Sequence, residues 1–404
     1  MGLASTKSPK TARGWLAAAA GATLAVLLNA GIGAGGARAQ TAVASATQPG
    51  VIGLVMGEWR FALHETPGGK QECPEGFHFD LTANYNAEYP TPEARKAREE
   101  RYGYYTNRGP NGENVFYHPT THRDLLPFRA VHGGTAIGLN LDGEAEGKGA
   151  GSSLPHDNFT SPSGERGLDN QLYRVIGCTP GWRVGGGIVG PVSLYIRSEN
   201  YARVLLEITG VDNELNDDDV TVALYRGLDG VAVDSRNRLV PWLSQRIDSK
   251  YGRRFMSRFK GRIVDGVLTT EPTDVRLPFL ERPIIVGDRL IHQMRLRLKL
   301  TPDGAEGMLG GYADLDNWYL MYAKTWGAHK VADIEGWDGP ATYEALHRFA
   351  DYRDPKTGAV TGISAAYEVG FTRAFIVHTP PAGTVLSEAG ASPTARSNAE
   401  LASR

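Results

Sequence analysis

Met294-Arg295-Leu296-Arg297-Leu298-Lys299-Leu300 alternates strictly between apolar and basic side chains, and Thr301-Pro302-Asp303-Gly304 follows it. Period-two alternation sends Met294, Leu296, Leu298 and Leu300 to one face of a strand and the charges to the other. Proline and glycine at those turn positions reverse the chain, and residues 308–312 run back. The stretch therefore predicts a hairpin in an antiparallel sheet with one solvated face. Working outward, residues 58–64, 193–197, 202–209, 220–225 and 364–375 are rich in Val, Leu, Ile, Phe and Tyr and read as further strands.

Helical signals are fewer. Thr91-Pro92-Glu93 supplies an N-cap, a proline for the first turn and an acid for the helix dipole, with the helix running to Arg101. A second helix is expected within residues 242–259. A third follows Asp338-Gly339-Pro340, with Tyr343, Leu346, Phe349 and Ala350 on one face. Between Tyr102 and Gly190 the chain is dense in Gly, Pro, Asn and Asp, so regular structure there is sparse. The expected architecture is mainly β: an antiparallel β-sandwich of jelly-roll or lectin-like type over 191–379, with a few short helices. A loop-rich N-terminal region covers 40–190 and a disordered tail 380–404.

The 404 residues include 50 Gly and 23 Pro, with 41% hydrophobic and 22% charged residues, a globular composition that excludes collagen-like and coiled-coil chains. A formal charge of −2 excludes a basic nucleic-acid footprint. Residues 1–39 read as a signal peptide: Lys7, Lys10 and Arg13 precede an uncharged Ala/Leu/Val run, and Ala37-Arg38-Ala39 has the small-x-small cleavage pattern. Cleavage removes four basic groups and no acidic one, taking the charge from −2 to −6. No later apolar run is long enough to span a bilayer, so the mature chain is expected in the periplasm or outside the cell. In an oxidising compartment the only two thiols, Cys73 and Cys178, are most simply one disulfide.

No complete catalytic signature is present. Gly185-x-Gly187-x-x-Gly190 fits the dinucleotide pattern literally, but Pro191 and an expected strand follow where a helix must face the pyrophosphate. Two acidic loops, Asp212, Glu214, Asn216 and Asp218, and Asn140, Asp142, Glu144 and Glu146, carry oxygens at alternate positions, the arrangement from which a Ca²⁺ site is built; solvated turns are the plainer reading. His118 and His122 stand four apart, with Pro119 against a helix there. His156 precedes Asp157, and Asp169-Asn170-Gln171-Leu172-Tyr173-Arg174 gathers planar polar groups that hold a sugar or carboxylate, or else fix a loop. Tyr312, Asp314, Asp316, Trp318 and Tyr319 mix acids with aromatic rings, as carbohydrate recognition does; a core edge is the alternative.

Asp169-Asn170-Gln171-Leu172-Tyr173-Arg174 with Gly177-Cys178, then residues 307–312, 340–346 and 363–367, resemble a family of exported bacterial proteins without assigned activity. The resemblance implies export and a shared fold over much of the mature chain, and no reaction. The functional expectation is a protein that binds a carbohydrate or small polar ligand, with Asp169, Asn170, Gln171, Tyr312, Asp316, Trp318 and Tyr319 as its contacts and calcium as a possible aid. A secreted hydrolase or lyase using His156, Asp169, Asp314 and Asp316 is the alternative, and a structural subunit of an envelope complex is a third.

Overall fold

The computed structural model describes residues 49–79, 81–103, 108–186, 190–282, 285–326 and 338–378, so the signal-like segment and the C-terminal tail lie outside the described residues. Thirteen strands occur among them: β1 (Val51–Phe61), β2 (Phe159–Thr160), β3 (Arg166–Leu168), β4 (Val204–Thr209), β5 (Asp217–Arg226), β6 (Leu243–Arg246), β7 (Ser257–Val264), β8 (Val267–Thr270), β9 (Thr273–Arg282), β10 (Ile285–Thr301), β11 (Gly304–Asp314), β12 (Tyr352–Arg353) and β13 (Val360–Val377). The α-helices are α1 (Leu81–Glu88), α2 (Pro92–Tyr102), α3 (Gln171–Ile176), α4 (Gly190–Ser198), α5 (Leu315–Trp326) and α6 (Gly339–Arg348).

The chain is mainly β, as expected, and its eleven-stranded sheet closes on itself. Phe371 and Thr372 of β13 pair with Ala305 and Gly304 of β11 on one edge and with Met56 and Val55 of β1 on the other. From β1 the ladder continues through β4, β5, β7, β8, β10 and β11 back to β13, antiparallel throughout. The layers of the expected sandwich are thus facing walls of one eight-stranded barrel, with β9 extending the β10 edge, and β6 and β12 attached to β13. An eight-stranded barrel is just wide enough for side chains to fill. Alternate residues of every wall strand do so, among them Leu54, Leu206, Val222, Ile263, Leu268, Leu298, Leu309 and Val369. The Met294–Leu300 pattern behaves as read, since the four apolar side chains are buried and Arg295, Arg297 and Lys299 face out.

Tight turns close one end of the barrel. Residues 210–216, 265–266 and 302–303 lie there, and the Arg373 guanidinium reaches from β13 to Thr301 O and to the Glu214 carboxylate at 2.7 Å. At the other end β1 finishes and β4 and β13 start, and helices α3, α4, α5 and α6 pack there. Two elements differ from the sequence reading. Residues 193–197 are helical within α4, because Ser193 Oγ bonds both backbone groups of Trp59 and Arg197 Nε reaches Gly57 O, where β1 carries a bulge. Residues 242–259 hold β6, one turn of 3₁₀-helix at Ser249–Tyr251 and the start of β7 in place of a helix, with Asp248 capping the turn through Lys250 N. A helix, not a strand, therefore follows Gly190; the dinucleotide reading still fails, since the element before it is a 3₁₀ turn at Pro180–Trp182.

Of the N-terminal region, β1 is a barrel strand, and the residues after it pack on the barrel's outer wall and end, stapled by the Cys73–Cys178 disulfide with Cα atoms 5.7 Å apart. Val131, Ala136, Phe159, Leu168 and Tyr173 pack around that bond in a satellite core. Leu139 and Leu141 lie directly on β11 at Gly310, where a Cβ would stand 3.0 Å from Leu139 Cδ1. Among the described residues no helix is long and apolar enough to cross a membrane.

Candidate functional site

The polar segment before Cys178 is used inwardly. Asp169, completely buried, accepts the Leu141 amide at 2.5 Å on one oxygen and meets His156 Nε2 at 2.8 Å on the other. The imidazole partner is thus Asp169, not the adjacent Asp157. His156 Nδ1 contacts Leu154 O at 2.7 Å and stands 3.7 Å from the carboxylate of Asp351, which itself accepts the Ser364 amide at 2.6 Å. Burial by itself pushes His156 down, but the Asp169 hydrogen bond, the two carboxylate charges and Leu154 O together lift it to about 9. Burial raises Asp351 to about 7, with the His156 charge and the Ser364 bonds pulling the other way. Asn170 donates to Ala62 O and Ile137 O, and Gln171 to Asp157 O. Asp169, Asn170 and Gln171 therefore fix the loop between β3 and α3 to the barrel wall and present no free group to a ligand. His156 is enclosed by the same contacts, so it is a lock for that wall and not an accessible base. Asp351 and Ser364, which complete the lock, carry no local sequence signal; only the fold brings them to His156.

The acid-and-aromatic segment scatters. Trp318 and Tyr319 point into the core: Trp318 packs on Trp182 at 5.3 Å and on Tyr322 at 4.6 Å, and Tyr319 Oη donates to Phe116 O. With exposures of 0% and 2% neither ring offers a face to a sugar, which corrects the expected platform. Asp314 caps α5 by accepting the Asn317 amide, and Asp316 is exposed in the first turn of the same helix. Tyr312 is buried on the outer side of β11 and stacks on Tyr352 at 4.7 Å, which in turn stacks on His292 at 5.2 Å. His292 is half-buried between Asp274 at 3.7 Å and Asp314 at 3.9 Å, beside a bulge whose Gln293 has φ 47°. The hydrogen bond to Asp314 and the two acid charges raise its pKa against burial.

The acidic loops turn their oxygens on their own backbone. Asn140 accepts Gly143 N, Asp142 accepts Glu144 N, and Glu144 accepts Glu146 N and Lys148 N. In the second loop Asn216 caps Asp265 N and Glu214 is drawn to Arg373, away from Asp212 and Asp218. Turns and ion pairs thus claim Asn140, Asp142, Glu144, Glu146, Glu214 and Asn216, six of the eight side chains expected to converge on Ca²⁺. Among the described residues no three acidic, His or Cys groups are placed to hold a metal ion. His118 is exposed and His122 faces Glu88 at 3.5 Å.

What remains open to solvent lies on the outer wall. A groove of about 1180 Å³ runs over the outward faces of β1, β10, β11 and β13, with residues 234–241 as its far bank. Five basic side chains line it (Arg60, Arg197, Arg236, Arg238 and Lys299), as do five acidic ones (Glu58, Asp234, Asp303, Glu306 and Glu368). They form the pairs Arg60–Glu368 at 3.3 Å, Arg197–Glu58 at 3.0 Å and Arg238–Asp234 at 2.8 Å. Leu239, Val240 and Pro241 add an apolar edge, and Trp242, a residue 40% exposed, follows directly in the chain. That tryptophan is held in a left-handed conformation, φ 65°, by Trp242 N donating to Arg373 O, and its ring leans on Phe375 at 5.7 Å. A bulky side chain in that region costs about 1–2 kcal/mol, so the surrounding structure sets its position. The groove was not legible in sequence, since its charges come from strands and a loop far apart in the chain. No family model, no curated protein and no solved structure matches the chain.

Proposed function

We propose that the protein is exported to the periplasm or beyond and binds a neutral oligosaccharide in the groove on the outer barrel wall. One observation carries the reading: the groove has balanced charges, six of the ten joined in pairs, and its apolar edge leads directly into a fixed, exposed tryptophan. Equal numbers of cationic and anionic groups give no field for a polyanion or a polycation. Paired guanidinium and carboxylate groups instead offer dense donors and acceptors to hydroxyls, while an indole face takes the apolar side of a sugar ring. Export is supported by the signal-like residues 1–39 and by the formed Cys73–Cys178 disulfide, since such bonds persist in oxidising compartments.

The test is isothermal titration of the mature protein with neutral hexasaccharides: cellohexaose, maltohexaose and chitohexaose. Binding of at least one, weakened about tenfold or more (about 1.4 kcal/mol) in Trp242→Ala with unchanged unfolding in the absence of sugar, is expected. Equal affinity in Trp242→Ala, or no heat with any of the three at about 5 mM, removes the proposal.

A further inference from the structure

We propose a second binding site, for a small molecule carrying a carboxylate and an apolar body, in the cavity lined by Arg174, Arg348, Phe128 and Phe349. The cavity has a volume of about 660 Å³ and shares no lining residue with the groove. Arg174, on α3, is its inner cation. The guanidinium lies 4.3 Å over the Phe159 ring, and all its hydrogen bonds go to neutral oxygens: Gln171 Oε1 at 3.0 Å, Asp157 O at 3.3 Å, Val131 O at 3.4 Å and Gly133 O at 3.5 Å. These contacts aim the planar fork without neutralising it. Burial lowers its pKa, with the charges of Asp157 and Tyr173 pulling the other way.

Three of the buried arginines show a carboxylate as partner. Arg183 pairs with Glu72 at 2.6 Å, Arg373 with Glu214 at 2.7 Å, and Arg226 with Asp248. Arg203 has no carboxylate either, but it donates to Ile196 O in the last turn of α4, where unpaired carbonyls and the helix dipole supply negative potential. Among the described residues Arg174 forms no ion pair and sits on a cavity wall. Its four hydrogen bonds leave an Nη2–H for one more acceptor, and a ligand carboxylate oxygen would supply that acceptor together with the missing negative charge.

Arg348, in the last turn of α6, brings a second guanidinium to the same cavity, 5.6 Å from the Phe128 ring and 4.7 Å from Phe349. The two rings give the ligand's body an apolar surface between the cations. Glu75 and Asp157 also line the cavity and are exposed at its rim, where they would meet a ligand ammonium. Two sources of the carboxylate therefore fit: a simple organic acid, or an amino acid whose ammonium faces the rim.

Three probes of one shape separate them: 3-phenylpropanoate, phenylalanine and 3-phenylpropanamide, titrated calorimetrically into the mature protein. Binding of either carboxylate without the amide is expected. Tighter binding of phenylalanine assigns the amino-acid source, and tighter binding of 3-phenylpropanoate assigns the simple acid. Arg174→Gln, which keeps a planar hydrogen-bonding head, is expected to lose at least about tenfold in affinity, and the exposed Arg348→Gln a smaller factor. Because Arg348 is on the surface, its variant folds whatever Arg174→Gln does. Equal binding of the amide, unchanged affinity in both variants, or no binding of any probe at about 5 mM overturns the site. Because no residue is shared, failure here leaves the groove standing, and failure of the groove leaves this cavity.

Discussion

The two sides of the barrel wall use the same kinds of residue to opposite ends. Inside, Trp59, Phe61, Trp182, Trp318 and Tyr367 interlock with ring centroids 4.4–6.4 Å apart, and every one of them is at most 7% exposed. Outside, Trp242 keeps two-fifths of its surface in water, beside Phe375 and the Arg373 guanidinium. The inner aromatics stabilise by area and contact, and the outer one is held in a strained conformation with little packing to gain. Charged groups divide in the same way. His156 is enclosed by Asp169 and Asp351, whereas the groove pairs remain hydrated and rearrangeable. Burial, not residue type, separates scaffold from recognition surface here.

The sharpest test of that contrast is the pair of tryptophans. Trp318→Ala is expected to reduce unfolding stability by about 3–5 kcal/mol, because a completely buried indole leaves a cavity that the packed rings cannot fill. Urea unfolding measures it, and a loss under about 1 kcal/mol would make the inner cluster loosely packed and erase the distinction. Reducing Cys73–Cys178 is next, at roughly 2–5 kcal/mol, since the bond closes a loop with a sequence separation of 105 that ties the outer wrapping to itself. Equal stability with and without reductant would show that the wrapping holds without its staple.

The enclosed network also predicts how stability depends on pH. His156, ordinarily 6.5, sits at about 9 in the fold, so its stabilisation is complete below about pH 6.5 and is lost as pH rises through 9. Asp351, ordinarily 3.8 and raised to about 7, also binds its proton more tightly when folded, so stability falls as pH rises from 3.8 through 7. Both contributions have the same sign. The urea midpoint should drop between pH 6 and pH 10, and the drop should shrink in His156→Gln; an identical profile in the variant would free His156 from this role. The smallest effect is expected at the surface. Trp242→Gly relieves φ 65° while giving up the contact with Phe375, so stability should stay within about 1 kcal/mol of the parent chain. A large loss would make Trp242 part of the scaffold after all.

The sequence by itself determined the local elements whose physics is local. The alternation at Met294–Leu300 with its Pro-Asp-Gly turn specified the β10–β11 hairpin. Thr91 and Asp338, each three residues ahead of the amide it accepts, specified the starts of α2 and α6. The two cysteines specified one bond. Where a short apolar run had no such punctuation, as at residues 193–197, strand and helix were indistinguishable until Arg197 and Ser193 found the β1 bulge. Tertiary structure alone decided that the sheet closes, because closure depends on β13 having β1 as a second partner. Closure in turn decided which face of each strand is interior. That placed Trp318 and Tyr319 in the core, drew Asp169 to His156 and Asp351, and left the groove and the Arg174 cavity outside. Backbone patterns of period two or 3.6 are written along the chain, but enclosure from water belongs to residues brought together from its whole length.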